Sequence, residues 1–243
     1  MRFLGFPGLI SPWYPPCSKP VPMSTIDKKL TPSELVEESP DTEKLLLGRL
    51  KNSSSKEDYF RWMLFVVGFY RGINKVDAAM ELLEEFVRTS TDIEQSAHCY
   101  LALGQIATDE GNHEAALKHF TSALELAPKR RKVIYVLHNN IGYCLNSLGR
   151  FAEAEVECRI AIDIDWTRAS GYRNLGVSLH GQNDLAGAAW VLTEAVKADS
   201  VDSRARILLE KLIALHPSLT SQCPWIVDCL TTNGEVYGQV PVI

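Results

Sequence analysis

The sequence predicts an all-α protein in which helical hairpins stack into a solenoid. From Tyr59 to Pro217 the apolar residues recur at intervals of three and four, which is the period of helices that bury one face. Alternating apolar and polar runs, which are typical of strands, are absent from this stretch. Small residues also recur along it at shared spacings, which indicates a repeated structural unit.

The repeat is defined by glycines and alanines. Gly104, Gly142 and Gly176 each follow a Leu or Ile and stand 38 and 34 residues apart. The same two spacings separate three further sets: Ala116, Ala154 and Ala188; Ala123, Ala161 and Ala195; and Gly111, Gly149 and Asn183. Agreement of so many small residues on two offsets predicts successive copies of one hairpin.

Packing within a hairpin explains these residue types. A glycine or alanine on one helix lets the axis of the next helix approach, whereas a large side chain would separate them. Gly111, Gly149 and Asn183 fall between the two helices of their hairpins, where a left-handed residue with positive φ ends the first helix. One hairpin cannot bury its own apolar face, so the copies are expected to stack.

At these residues the chain resembles the tetratricopeptide repeat (TPR) family, whose 34-residue signature is W-x2-L-G-x2-Y, A-x3-F, then A and P. The first clear copy has Tyr100, Leu103, Gly104, Ala107, Gly111, Ala116, Phe120, Ala123 and Pro128. The later copies depart at His138, in place of the aromatic residue, and at Trp166 and Ser200, in place of the closing proline.

The resemblance implies about four hairpins and a capping helix within residues 56–216. Ser54 and Glu57 have capping-box spacing, so the first helix is expected to begin there. The first hairpin is a degenerate copy, because Val66-Val67 stand where the other copies have Leu-Gly or Ile-Gly. The expected hairpins span about 59–89, 97–128, 133–166 and 169–200, and the cap spans 203–216.

The two ends of the chain differ from this body. Eight of the twelve prolines lie in the first forty residues, so residues 1–55 are expected to be a disordered or extended arm with a short helical turn over Lys44–Leu50. Met23 is an alternative start. In the tail, 217–243, Asn233-Gly234 separates two β-prone runs, Trp225–Leu230 and Glu235–Val240, which predicts a β-hairpin. Packing of this hairpin in cis or on another chain stays open.

Composition argues against several classes of protein. Twenty-five Lys and Arg against 30 Asp and Glu give a net charge of -5, so no positive field draws nucleic acid. The longest apolar run, Trp62–Tyr70, has nine residues, whereas a membrane-spanning helix needs about 20. Six cysteines without a C-x-x-C pair are typical of a reduced, cytoplasmic protein.

Motifs of catalysis are not found in the sequence. It contains no nucleophile elbow, phosphate loop, H-E-x-x-H or zinc-type Cys/His set, and its six histidines are scattered. The basic cluster Lys129–Lys132 coincides with the extra residues of the longer repeat and is expected to be a solvated connection, with a phosphate or acidic-peptide site as the alternative. We therefore expect no cofactor, no metal and no enzymatic activity.

The family resemblance implies a binding groove on the concave side, lined by the first helix of each hairpin. Amides can pair with both the N–H and the C=O of an extended peptide, and Arg173 can take a carboxylate. The implied function is a non-catalytic scaffold that binds a protein or peptide. Carried over to this chain, the groove residues are His98, Leu101, Gln105, Asn139, Asn140, Tyr143, Arg173, Asn174, Val177 and His180.

Some family members clamp a C-terminal carboxylate with Lys, Asn and Arg on the three inner helices. Asn140 matches the middle position of that clamp, but Leu101, Gln105, Ser170 and Asn174 stand at the others. Two alternatives to the scaffold remain. One is homo-oligomerisation through the apolar first hairpin or the C-terminal hairpin, and the less favoured one is an enzyme with its site in the groove.

Overall fold

A computed structural model of the chain describes residues 40–199, 201 and 203–231, and these residues form helices without a strand. The first six helices are α1 (Pro40–Lys51), α2 (Lys56–Gly72), α3 (Val76–Thr89), α4 (Ile93–Asp109), α5 (His113–Glu125) and α6 (Arg131–Ser147). The others are α7 (Phe151–Ile164), α8 (Ala169–Gly181), α9 (Leu185–Ala198), α10 (Ser203–Leu215), α11 (Leu219–Gln222) and α12 (Trp225–Thr231).

Helices α2 to α9 form four hairpins that stack in chain order. The pairs are α2/α3, α4/α5, α6/α7 and α8/α9, and the second helix of each hairpin packs on the first helix of the next. Helix α6 also contacts both α4 and α8, so the first helices of three hairpins lie side by side. Helix α10 packs on α9 after the last hairpin. The predicted all-α hairpin solenoid is confirmed.

The turn within each hairpin has the predicted left-handed residue. The φ angles are 76° at Gly111, 75° at Gly149 and 64° at Asn183. Asn74, between α2 and α3, has a φ of 60°, which shows that the degenerate first copy turns in the same way.

The repeated glycines lie where the two helices of a hairpin cross. A Cβ on Gly104 would clash with the Phe120 ring, and one on Gly142 would lie 2.6 Å from Cys158 Sγ. The third glycine of the set has the same relation to a leucine of α9. Each absent side chain thus makes room for a side chain of the partner helix, which lets the two axes approach closely.

Short polar caps determine where several helices begin. Each capping side chain accepts a hydrogen bond from the backbone N–H three residues later, which satisfies one of the free donors of the first turn. At α2 the cap lies one residue after the Ser54 of the predicted capping box. The capping residues are Ser55, Asp92, Asn112 and Asp184.

The helical turn expected over Lys44–Leu50 is present as part of a longer helix, α1, because Leu46 and Leu50 bury themselves against α2. The prediction of a strand over Trp225–Leu230 is wrong. The first expected strand is helix α12, which packs on α9 and buries Ile226 and Cys229, three residues apart. Such tertiary burial overrides local β-propensity. The rest of the arm and the second expected strand lie outside the described residues.

Candidate functional site

The ten predicted groove residues lie on α4, α6 and α8, whose adjoining faces we call the inner wall. Leu101, Arg173 and Asn174 are buried, with exposed fractions of 8%, 6% and 5%. All ten residues thus lie on three adjoining helices, but three of them are largely withdrawn from solvent. His180 is exposed, and six others are half-buried: His98, Gln105, Asn139, Asn140, Tyr143 and Val177.

Three asparagines form a hydrogen-bonded relay across the inner wall. The Nδ2 of Asn174 donates to the backbone O and to the Oδ1 of Asn139, both at 3.1 Å. Asn139 Nδ2 in turn donates to Asn140 Oδ1 at 3.3 Å. Asn174 and Asn139 therefore join α8 to α6, and their amides are engaged inside the protein.

The relay ends on a donor at Asn140. Within the described part of the chain, no acceptor lies within hydrogen-bond distance of Asn140 Nδ2, and this nitrogen is not sealed from solvent. Its amide hydrogens are therefore available to a bound group, while its oxygen is held by Asn139. An amide fixed at one end and accessible at the other is oriented before any partner arrives.

A second polar pair holds the same two helices and was missed by sequence reasoning. Asn146 Nδ2 donates to the backbone O of Asn174 at 2.8 Å, and Ser178 Oγ donates to Asn146 Oδ1 at 2.9 Å. The side chains of Asn146 and Ser178 are both buried. The available signal was an amide placed among the apolar residues of α6, since buried polar groups are nearly always hydrogen-bonded.

Aromatic and imidazole rings lie along the inner wall and at its ends. His98 packs edge-on against Phe60 with centroids 5.9 Å apart, and Tyr143 contacts His113 at 5.8 Å. Burial, aided by a nearby arginine, lowers the pKa of His98. Burial, aided by a neighbouring histidine, also lowers the pKa of His180. Both imidazoles are therefore neutral at neutral pH.

The buried thiols are made unreactive by their surroundings. Burial raises the pKa of Cys99 and of Cys158 to about 12, and that of Cys144 to about 11. A protonated thiol is a poor nucleophile and a poor metal ligand. Across the described residues, no group of three or more His, Cys, Asp or Glu side chains is placed to hold a metal ion.

Comparison with known proteins identifies the repeat. The family model for the tetratricopeptide repeat matches residues 97–130, which contain helices α4 and α5. Residues 97–130 are thus identified as a tetratricopeptide repeat. Among curated relatives, an Hsp70-Hsp90 organising protein of Plasmodium falciparum is 32% identical over 112 residues, which are 45% of this chain and 42% of that protein. That of Triticum aestivum is 32% identical over 100 residues, which are 40% of this chain and 16% of that protein. The chain thus spans less than half the length of these relatives.

Two solved structures share the fold of this protein over most of its length. BtubC (BKLC) from P. vanneervenii superposes with a TM-score of 0.63 and 13% identity, covering 83% of this chain and 94% of that one. MamA, from residue 41 to the end, of Desulfovibrio magneticus RS-1 gives a TM-score of 0.56 and 15% identity, covering 73% and 97%. At these identities the likeness shows the fold alone.

The basic cluster Lys129–Lys132 has structural contacts. The Lys129 backbone N–H donates to Glu94 Oε1 at 2.5 Å, and Arg130 Nε lies 3.8 Å from Glu94 Oε2. Arg131 Nε donates to the Ile164 carbonyl at 2.8 Å, which satisfies a free acceptor at the C-terminal end of α7. These contacts tie the connection between α5 and α6 to its neighbours.

The apolar helix α2 is covered in cis by α1. Leu46 and Leu50 pack in one cluster with Met63, and the Arg49 guanidinium lies 5.8 Å from the centre of the Trp62 ring. This contact accounts for the apolar run without a second copy of the chain. Over the described residues, no helix is long and apolar enough to cross a membrane.

Proposed function

We propose that this protein is a non-catalytic scaffold that binds an extended peptide segment of another protein along the inner wall. The observation that carries the proposal is the amide relay. It ends on the accessible Nδ2 of Asn140, on the middle one of three adjoining inner helices.

An extended peptide suits this arrangement because its backbone carbonyls lack internal hydrogen bonds. Asn140 donates to one such carbonyl, and Asn139 and Asn174 act as positioning residues that hold the amide in place. The half-buried Val177 and Tyr143 offer apolar area for the peptide's side chains.

The inner wall favours an internal segment over a free C-terminal carboxylate. Two relatives are named for organising Hsp70 and Hsp90, and the family's carboxylate clamp uses cations on its inner helices. Here a buried Leu101 and a hydrogen-bonded Asn174 stand at clamp positions, and only Asn140 matches. Arg173 is largely withdrawn from solvent, with an exposed fraction of 6%, and the neutral His98 and His180 add no charge.

The test begins with peptides selected on the full chain by phage display, whose dissociation constants are then measured by fluorescence anisotropy. Asn140→Ala removes the donor and is expected to weaken binding about tenfold, the effect of losing about 1.4 kcal/mol of hydrogen bonding. Asn52→Ala is the matched control, because Asn52 is an exposed asparagine directly after α1. Selected peptides that bind both variants equally well would rule out the inner wall as their site.

Self-association is a second candidate, favoured by an exposed tryptophan on the last hairpin. Trp190 on α9 is 53% exposed and meets Trp225 of α12 edge-on at 5.6 Å. Light scattering over a range of concentrations tests it with Trp190→Glu. A mass that rises with concentration and falls back in this variant would support it, whereas a constant monomer mass would remove it.

A further inference from the structure

We infer that the proline-rich segment 1–22 of this chain binds along the inner wall in cis, so that a partner peptide must displace it. The inference rests on the proposed function, because it assigns an occupant to the same wall. Three observations carry it: where the described chain begins, how far the preceding residues reach, and the chemical match between segment and wall.

The described chain begins at the edge where the hairpin turns lie. Near the start of α1, Glu43 forms an ion pair of 2.8 Å with Lys75, which lies in the turn between α2 and α3. Near the end of α1, Arg49 lies over Trp62 in the first part of α2, so α1 runs antiparallel to α2. The start of α1 therefore lies beside the C-terminal end of α2.

That edge borders the inner wall. Arg71, at the end of α2, forms an ion pair of 2.7 Å with Asp109, at the end of α4. The C-terminal ends of α6 and α8 follow along the same edge, because α4, α6 and α8 lie side by side as equivalent helices of successive hairpins. A segment that precedes α1 thus starts next to the wall.

The reach of the segment exceeds the distance it must cover. Three adjoining helices with axes about 8–10 Å apart span roughly 20 Å between the outer axes. Thirty-nine residues precede α1, and 22 residues would reach about 70 Å at about 3.1 Å per residue. Chain length therefore does not restrict the docking.

The chemistry of the segment matches that of the wall. Its six prolines lack an N–H, so its carbonyl acceptors outnumber its donors, and the wall presents a donor at Asn140. Proline-rich segments dock on aromatic side chains, and Tyr143 supplies one. The other undescribed end, 232–243, has a single proline and one Glu, and it fits less well.

Site-directed photo-crosslinking of the full chain tests the inference. Tyr143→p-benzoylphenylalanine places the photoreactive group on the wall, and Val177→p-benzoylphenylalanine places it on the neighbouring helix α8. The control is Val156→p-benzoylphenylalanine, because Val156 on α7 is 56% exposed and lies outside the wall. After irradiation and proteolysis, we expect adducts with residues 1–22 from both wall positions and none from the control position. A mixture of isotopically light and heavy chains should yield these adducts within single chains.

Three results would overturn the inference. They are adducts only with residues 232–243, adducts only between light and heavy chains, and no adduct from either wall position in a chain whose circular dichroism shows native helix content. If selected peptides still lose affinity on Asn140→Ala in any of these cases, the peptide-binding function stands and only the docking in cis fails. If they bind regardless of Asn140, the proposed function fails as well.

Discussion

The first hairpin and the three that follow it differ at the point where their two helices cross. In α4/α5 this point combines Gly104 with Phe120, so that a missing side chain faces a large one. In α2/α3 the equivalent residues are Val67 and Leu83, which are both buried, with exposed fractions of 1% and 0%. The backbones of α2 and α3 also approach less closely than those of the glycine-bearing hairpins.

The difference shows that the space at the crossing can be filled in two ways. A large side chain can lie opposite a glycine, as in α4/α5, or two side chains of medium size can share the space, as in α2/α3. The left-handed turn at Asn74 and the fully buried Ala79 are kept in the first hairpin. The crossing residues change together, because a valine on one helix leaves no room for a phenylalanine on the other. Glycine is therefore required wherever a side chain of the partner helix already occupies the place of a Cβ, whether that side chain is Phe120 or the smaller Cys158.

Exchange of the crossing residues should produce the largest effect. Gly104→Val forces a branched side chain into the Phe120 ring and is expected to lower the free energy of unfolding by about 3 kcal/mol. The double variant Gly104→Val/Phe120→Leu reproduces the first hairpin and should recover a large part of that loss. Urea denaturation followed by circular dichroism measures both variants.

Gly48→Ala is the control for this exchange. Nothing lies within 4 Å of an added Cβ at Gly48 in α1, so this variant should be neutral or stabilising by up to about 1 kcal/mol. Equal losses in the Gly104→Val single and double variants would show that the crossing residues are not coupled.

Disruption of the asparagine relay, which joins α6 to α8, should cause the next largest loss of stability. Asn174→Ala removes the donor of two hydrogen bonds and leaves the Oδ1 of Asn139 without its partner at the α6–α8 contact. We expect a loss of about 2 kcal/mol in the free energy of unfolding, against less than about 1 kcal/mol for Asn140→Ala at the accessible end. Comparable losses for the two variants in urea denaturation would contradict the distinction between a positioning residue and a binding residue.

The turns permit a smaller, paired test. Gly149 has a φ of 75° and open space where a Cβ would lie, so Gly149→Ala should lower the free energy of unfolding by about 1–2 kcal/mol through backbone strain alone. Asn183→Gly relieves the same strain and should be neutral or slightly stabilising. If thermal melts show the same melting temperature for Gly149→Ala and Asn183→Gly, backbone strain at the two turns does not control stability.

Burial of His98, which lies on α4 against Phe60 of α2, should make the stability of the protein depend weakly on pH. Since burial lowers the pKa of His98 below its ordinary value of 6.5, the unfolded chain binds a proton that the folded chain does not. The free energy of unfolding should therefore fall as pH drops below about 6.5, and His98→Gln should reduce this dependence. If the free energy of unfolding of His98→Gln depends on pH as strongly as that of the unmodified protein, a group other than His98 causes the dependence.

Sequence reasoning recovered what depends on local repetition. The hairpin crossings could be predicted from Gly104, Gly142 and Gly176. A glycine that recurs at a fixed offset has the same steric role in each copy, which is to make room for the partner helix. The helix α12 was predicted as a strand, since its β-prone residues say nothing about the surfaces on which Ile226 and Cys229 are buried. Their burial depends on tertiary contacts, which a local stretch of sequence does not specify.

The groove residues were located by their helices but not by their hydrogen bonds. A repeat offset places Asn140 and Asn174 at equivalent positions, yet Asn174 is buried in the relay while Asn140 keeps an accessible donor. Which amide is engaged depends on the contact between α6 and α8, and on residues such as Asn146 that follow no repeat. Periodicity alone cannot separate the two roles.

The claim that a peptide binds along the inner wall is tested most directly by the side-chain amide signal of Asn140. It can be followed in a ¹⁵N-labelled full chain while a phage-selected peptide is added, with Asn52 as the internal reference. We predict a saturable shift of the Asn140 Nδ2 resonance and no shift at Asn52. A peptide that saturates the protein and leaves the Asn140 signal unmoved, while signals from α3, α5 and α7 change, would contradict the account.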